Sequence, residues 1–122
     1  MAVLDRPRPI AFSVINNEGR VDARRLADAM DITITQLAAI LGTKPKSLSE
    51  SPTSRKIQEA ASKIVEMMDD LANFLQERRL AVYWLRTTRV ELGDQSPLDW
   101  LMKGKLEEIR DEVTRTVRLQ PE

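Results

Sequence analysis

The sequence predicts an all-α chain, and three observations carry that prediction. Between Ile57 and Leu75 the apolar residues Ile57, Ala61, Ile64, Met68, Leu71 and Leu75 recur at alternating four- and three-residue steps, a seam of helical period. Helix-starting residues (Asp22, Thr33, Ser96) and helix-stopping glycines (Gly42, Gly104) bracket the other apolar-periodic runs. No pair of alternating segments suits two central strands; only residues 10–14, Ile-Ala-Phe-Ser-Val, alternate weakly.

Taken in order, residues 1–20 read as an arm, with three proline–arginine junctions, Asn16-Asn17 and Gly19. A strand at 10–14 would need a partner, such as the same arm of a second copy. From Val21 the period becomes helical. Asp22 caps a first helix carrying Leu26, Ala27 and Met30, which Asp31 closes. Thr33 and Gln36 form a capping box for a second helix ending at Gly42. Thr43 is expected to cap a third, short helix from Lys44, with Pro45 in its first turn. Residues 21–56 thus have the outline of a helix-turn-helix.

The fourth helix carries the long seam, with Glu59, Lys63, Glu66, Asp69, Asp70 and Gln76 expected on its solvated face. The seam buries itself either on helices of the same chain or in a dimer coiled coil; three heptads favour the former. A fifth helix over Arg78–Arg86 is expected to place Leu80, Ala81, Trp84 and Leu85 on one side. After a polar loop, Ser96 caps a short helix over Pro97–Met102, with Pro97 first and Asp99 near the dipole's positive end. Gly104 ends it, and a last helix runs from Lys105 to about Arg118 with Leu106, Ile109, Val113 and Val117 on one face.

Composition narrows the function. The 122 residues include no His and no Cys. That removes the commonest general base, the commonest metal ligand, thiolate zinc sites and disulfides. No glycine-rich phosphate loop is present, and no carboxylate pair sits in a recognisable catalytic loop. The expectation is a non-enzyme with no catalytic residue, metal or cofactor. With neither a secretory signal nor an apolar run long enough to span a bilayer, it is expected to be cytoplasmic. The net charge is zero, but residues 1–56 carry +3 and residues 57–122 carry −3, which suggests different partners for the two ends.

Both tryptophans flank the polar loop. The run Trp84-Leu85, then Leu92-Gly93, then Ser96-Pro97, Leu101 and Gly104 resembles the C-terminal segment of Xre/MbcA/ParS-type antitoxins. In that family the pattern is close to W-L, six residues, L-G, two residues, S-P, three residues, L, with a glycine soon after. The resemblance is dense over residues 79–117 and looser back to Val21. It implies an N-terminal Xre-like helix-turn-helix followed by a C-terminal helical toxin-binding domain, so that residues 1–20, 21–56 and 57–122 are arm, DNA-binding-like region and toxin-binding domain. It further implies an antitoxin of a type II toxin–antitoxin module. The partner would be a RES-domain toxin that consumes NAD, by hydrolysis or ADP-ribosylation, and whose NAD site the antitoxin blocks. Such proteins act as homodimers within larger toxin–antitoxin assemblies and repress their own operons.

On this resemblance the toxin-binding candidates are Trp84, Leu85, Arg86, Leu92, Ser96, Pro97, Trp100, Leu101 and Lys103. Trp84 is expected to be mainly core; Trp100 is either core or anchor. Acidic side chains of the last helix, including Glu108 and Glu112, complement a pocket that accepts a pyrophosphate, and the tail from Arg118 to Glu122 is short enough to thread a cleft. A solvated acidic face with a frayed end is the plainer account of the same residues. At the other end, Thr43, Lys44, Lys46, Ser47 and Ser49 are placed to meet a major groove, and Arg55 and Lys56 to reach phosphates. Relatives commonly carry arginines late in this helix, where the chain has Leu48-Ser-Glu-Ser51. The alternative function is a helix-turn-helix transcriptional regulator whose C-terminal helices only dimerise.

Overall fold

A computed structural model of the chain describes residues 7–118. Within them the fold is all-α. The helices are α1 (Ala11–Val14), α2 (Ala23–Met30), α3 (Ile34–Leu41), α4 (Pro45–Glu50), α5 (Arg55–Leu75), α6 (Arg78–Arg86), α7 (Pro97–Met102) and α8 (Leu106–Arg118), with one 3-10 turn at Val90–Leu92. Extended pairing among the described residues is limited to two isolated antiparallel bridges.

α5 is the axis. Ile57, Ala61, Ile64, Met68 and Leu71 are buried, and Val65, Met67 and Ala72 join them. The buried face is therefore wider than a coiled-coil stripe, and it is covered from within the chain by α1, α3, α6 and α8. Leu75, at the last turn, is only half-buried. Burying each large aliphatic here contributes about 1.5–3 kcal/mol. α6 folds back on α5 after Gln76, whose φ of 69° lets the chain reverse without a glycine.

Local capping follows the sequence. The Asp22 carboxylate accepts from the Arg24 and Arg25 N–H groups, Thr33 and Gln36 close a capping box, and Asp31 and Gly42 end α2 and α3 in the left-handed region. Elsewhere the fold departs from expectation. Residues 10–14 are not a strand: they form α1, because Asp69 of α5 accepts hydrogen bonds from the N–H groups of Ile10 (2.7 Å) and Ala11 (3.4 Å). Ile10 and Val14, four residues apart, then both face the core. Residues 10–14 pack on α2 and α5 of the same chain, and Asp69 is a cap rather than a solvated acid. Among the described residues of the arm, extended pairing is limited to the Ile15–Val21 bridge. Nearby, the Gln58 amide accepts from the Val21 N–H at 2.7 Å and donates to the Val21 carbonyl at 3.0 Å, so α5 holds the loop in place just before α2.

Thr43 is not the cap of α4. Lys44 occupies that position without a side-chain bond and Pro45 starts the helix, while the Thr43 N–H donates to the Ala38 carbonyl at 3.0 Å and closes α3. One cluster of buried side chains runs from Ile10 to Val113 through all three sequence segments, and α7 packs on α3 as well as on α6 and α8. Residues 21–56 and the C-terminal helices share an interior.

Candidate protein-interaction surface

The two tryptophans brace the loop between α6 and α7 from opposite ends. The Arg89 N–H donates to the Gln95 carbonyl at 3.0 Å and closes a small ring, inside which Leu92 and Asp94 donate to the Arg89 carbonyl at 3.1 and 3.0 Å. Gly93 (φ 69°) and Asp94 (φ 61°) turn the chain in the left-handed region. At the ring's exit the Ser96 hydroxyl accepts from the Asp99 N–H at 3.1 Å, and the Asp99 carboxylate accepts from the Ser96 N–H at 3.0 Å. The Trp100 indole N–H donates to the Leu92 carbonyl at 3.0 Å. On the other side the Arg89 guanidinium lies 5.2 Å from the Trp84 ring centroid, within cation–π range. The indoles hold the loop's shape whatever else they touch.

The candidate residues divide by exposure. Leu85, Leu92, Ser96, Pro97 and Leu101 are buried, so their part in any contact is to support the surface above them. Trp84 and Trp100 are half-buried and keep one side available. Arg86 is exposed but engaged, donating to the Asp31 carbonyl and lying 3.7 Å from the Asp31 carboxylate. It ties the end of α6 to the end of α2. Exposed Lys103 donates to the Gln95 side chain at 2.8 Å. On α8, Glu108 is exposed beside Lys105, and Glu112 is half-buried with Arg115 at 2.6 Å. Arg118 is exposed, and Glu122 lies outside the described residues.

Between α5 and α8 an acidic cleft is lined by Glu66, Asp70, Glu107 and Asp111, with Arg110 among them. Desolvation, with the neighbouring Glu66 and Asp69 charges, raises the Asp70 carboxyl above its ordinary range, partly offset by Arg110. Glu107 shifts the other way: against a desolvation that raises it, the Lys63 hydrogen bond and the Arg110 and Lys63 charges hold it low. These pairs are exposed and carry little stability.

At the other end Lys44, Lys46, Ser47, Arg55 and Lys56 are exposed, while Thr43 and Ser49 are half-buried. The Arg24 guanidinium donates to the Ser49 carbonyl (2.7 Å) and hydroxyl (3.2 Å), placing a further cation against α4. Sequence reasoning misses Arg24 because it lies 25 residues from Ser49. It also misplaces Leu80, which is 39% exposed, and passes over Tyr83 and Val90, at 67% and 83%. The helical wheel anchored on buried Ala81 and Leu85 is the signal for the first two, since it turns positions 80 and 83 outward.

Among the described residues no acidic cluster is arranged to hold a metal, and no helix is long and apolar enough to cross a membrane. No protein-family model and no curated protein matches the chain. Its fold does have a counterpart. At 16% identity and a TM-score of 0.57, over 80% of this chain and 91% of the other, it is similar to a chain in the crystal structure of the M. tuberculosis MbcT–MbcA toxin–antitoxin complex.

Proposed function

We propose that this chain is the MbcA-type antitoxin of a type II toxin–antitoxin pair, acting in the cytoplasm. It binds a NAD-consuming RES-domain toxin (ADP-ribosyltransferase or NAD hydrolase), blocks that toxin's NAD site and breaks no bond itself. The observation that carries this proposal is the fold similarity to a chain of a toxin–antitoxin complex, which extends over 91% of that chain. The braced loop and its half-buried indoles add a rigid surface of the residue type that anchors interfaces. The test is co-expression with the adjacent reading frame. That gene alone should arrest growth and deplete NAD or ADP-ribosylate a protein, and this chain should reverse the arrest and co-purify with its product in fixed stoichiometry. A neighbour that is harmless, or that this chain neither binds nor silences, removes the proposal.

A homodimer within that assembly would also repress its own operon, with α4 and the first turn of α5 facing DNA. Arg55 and Lys56 favour this second role. No acid occupies the first turn of α5, and these two cations sit at the positive end of the helix dipole, where they cost stability. Replacing both with Glu is expected to stabilise the chain by about 0.3–1 kcal/mol per site. The same change should weaken operator retention and flatten its salt dependence by about 0.9 in log–log slope for each phosphate no longer neutralised. A gain in thermal midpoint with unchanged operator binding would leave the helix-turn-helix as scaffold only.

A further inference from the structure

We infer that Arg24, at the start of α2, is a positioning residue for α4: its guanidinium holds the carbonyl end of that helix and so sets the angle at which Lys44, Lys46 and Ser47 meet DNA. This rests on the operator-binding role proposed above and names a side chain, outside α4 and α5, on which that role depends. α4 has little of its own to fix its direction. It is six residues long, its N-cap Lys44 makes no side-chain bond, and Leu48 is its single buried residue. One buried side chain fixes the place of a helix but leaves it able to turn and tilt about that point. On one flank a hollow lined by Ser47, Glu50, Ser51, Ser54 and Lys56 lies between α4 and the start of α5, so α5 does not block such a movement.

The second fixed point comes from α2. The Arg24 Nη2 donates to the Ser49 carbonyl at 2.7 Å and to the Ser49 hydroxyl at 3.2 Å. That carbonyl belongs to the last turn of α4, where helical N–H donors run out and the helix dipole is negative, so a cation suits it. The base from which Arg24 reaches is itself held. The Ala23 N–H donates to the Pro52 carbonyl at 2.8 Å, and Gln58 of α5 bonds both backbone groups of Val21. Arg25, the next residue, is equally charged and exposed, but among the described residues its side chain makes no such bond. The difference between the two is therefore geometry, not charge. Phosphate attraction follows charge alone, whereas base reading follows the angle at which α4 presents its side chains, so Arg24 governs the preference for one sequence over another.

Two measurements on the full-length chain test this, each with Arg24→Lys and Arg25→Lys, which keep the charge but replace a planar fork with a point donor. The first is amide hydrogen exchange of the protein alone. Arg24→Lys should speed exchange at the Leu48 and Ser51 amides, which bond within α4, by about tenfold and leave α2 and α5 as they were. Arg25→Lys should change neither. The second is titration, across a range of salt, of a duplex from upstream of this chain's own reading frame and of a scrambled duplex of equal length. Arg24→Lys should cut the preference between them by about five- to tenfold with the salt slope unchanged. Arg25→Lys should keep both. Unaltered exchange in α4 overturns the inference without reference to DNA, as does faster exchange throughout the chain. A wild-type chain with no preference between the duplexes removes the operator-binding role and this inference with it. A wild-type preference that survives Arg24→Lys overturns the inference alone. A shallower salt slope at equal preference would make Arg24 a phosphate contact and equally overturn its positioning role.

Discussion

Leu101→Ala is expected to lower the unfolding free energy by about 2–5 kcal/mol, and to do so for the whole chain at once. Leu101 is fully buried on α7, the short helix that packs against α3, within residues 21–56, and against α6 and α8 of the C-terminal part. Removing three carbons there leaves a cavity where four helices meet, and a six-residue helix has little of its own to hold its place. For a domain of this size the loss corresponds to a fall of about 8–20 °C in thermal midpoint. If the core is one unit, tryptophan fluorescence and far-ultraviolet circular dichroism will report a single coincident transition in both wild type and variant. Two separated transitions, with only the fluorescence-detected one shifted, would mean that residues 21–56 fold independently of α7.

What the sequence makes legible is local. The Thr33–Gln36 box, the Asp22 cap, the stop at Gly42 and the Ser96–Pro97–Asp99 start are written within four residues of themselves, so spacing alone places them. The all-α class follows from the same signals and from the α5 seam. Where expectation and structure part, distance along the chain or competition for one residue is the cause. Weak alternation suggests a strand at residues 10–14, but the cap that makes them α1 is Asp69, 59 residues from Ile10. Hydrophobicity places Leu80 inward although the spacing from Ala81 and Leu85 turns it outward, and Thr43 has the side chain of a cap although closing α3 needs its backbone. The surface is harder still. The motif that marks the α6–α7 segment consists largely of residues that build it, and burial separates these from residues free to touch a partner.

Trp100 lies on that boundary, and a two-step series resolves it. Trp100→Ala should cost about 3 kcal/mol, the low end for a large aromatic, because the ring is half-buried and its loss unsupports the loop. Trp100→Phe keeps most of the packing and deletes one donor, the indole N–H that reaches the Leu92 carbonyl at 3.0 Å. That change alone should cost about 0.5–1.5 kcal/mol. With Trp84 unaltered, its fluorescence reports whether the Arg89 stack survives. If Trp100 acts only by bracing the loop, affinity for the proposed toxin partner will fall in proportion to the loop's loss of order, and Trp100→Phe will capture nearly as well as wild type. If its open side is an anchor, Trp100→Phe will lose more affinity than its loss of stability accounts for. The hydrogen bond predicts the first outcome, since an indole spent on positioning Leu92 has its polar edge turned into the chain rather than toward a partner.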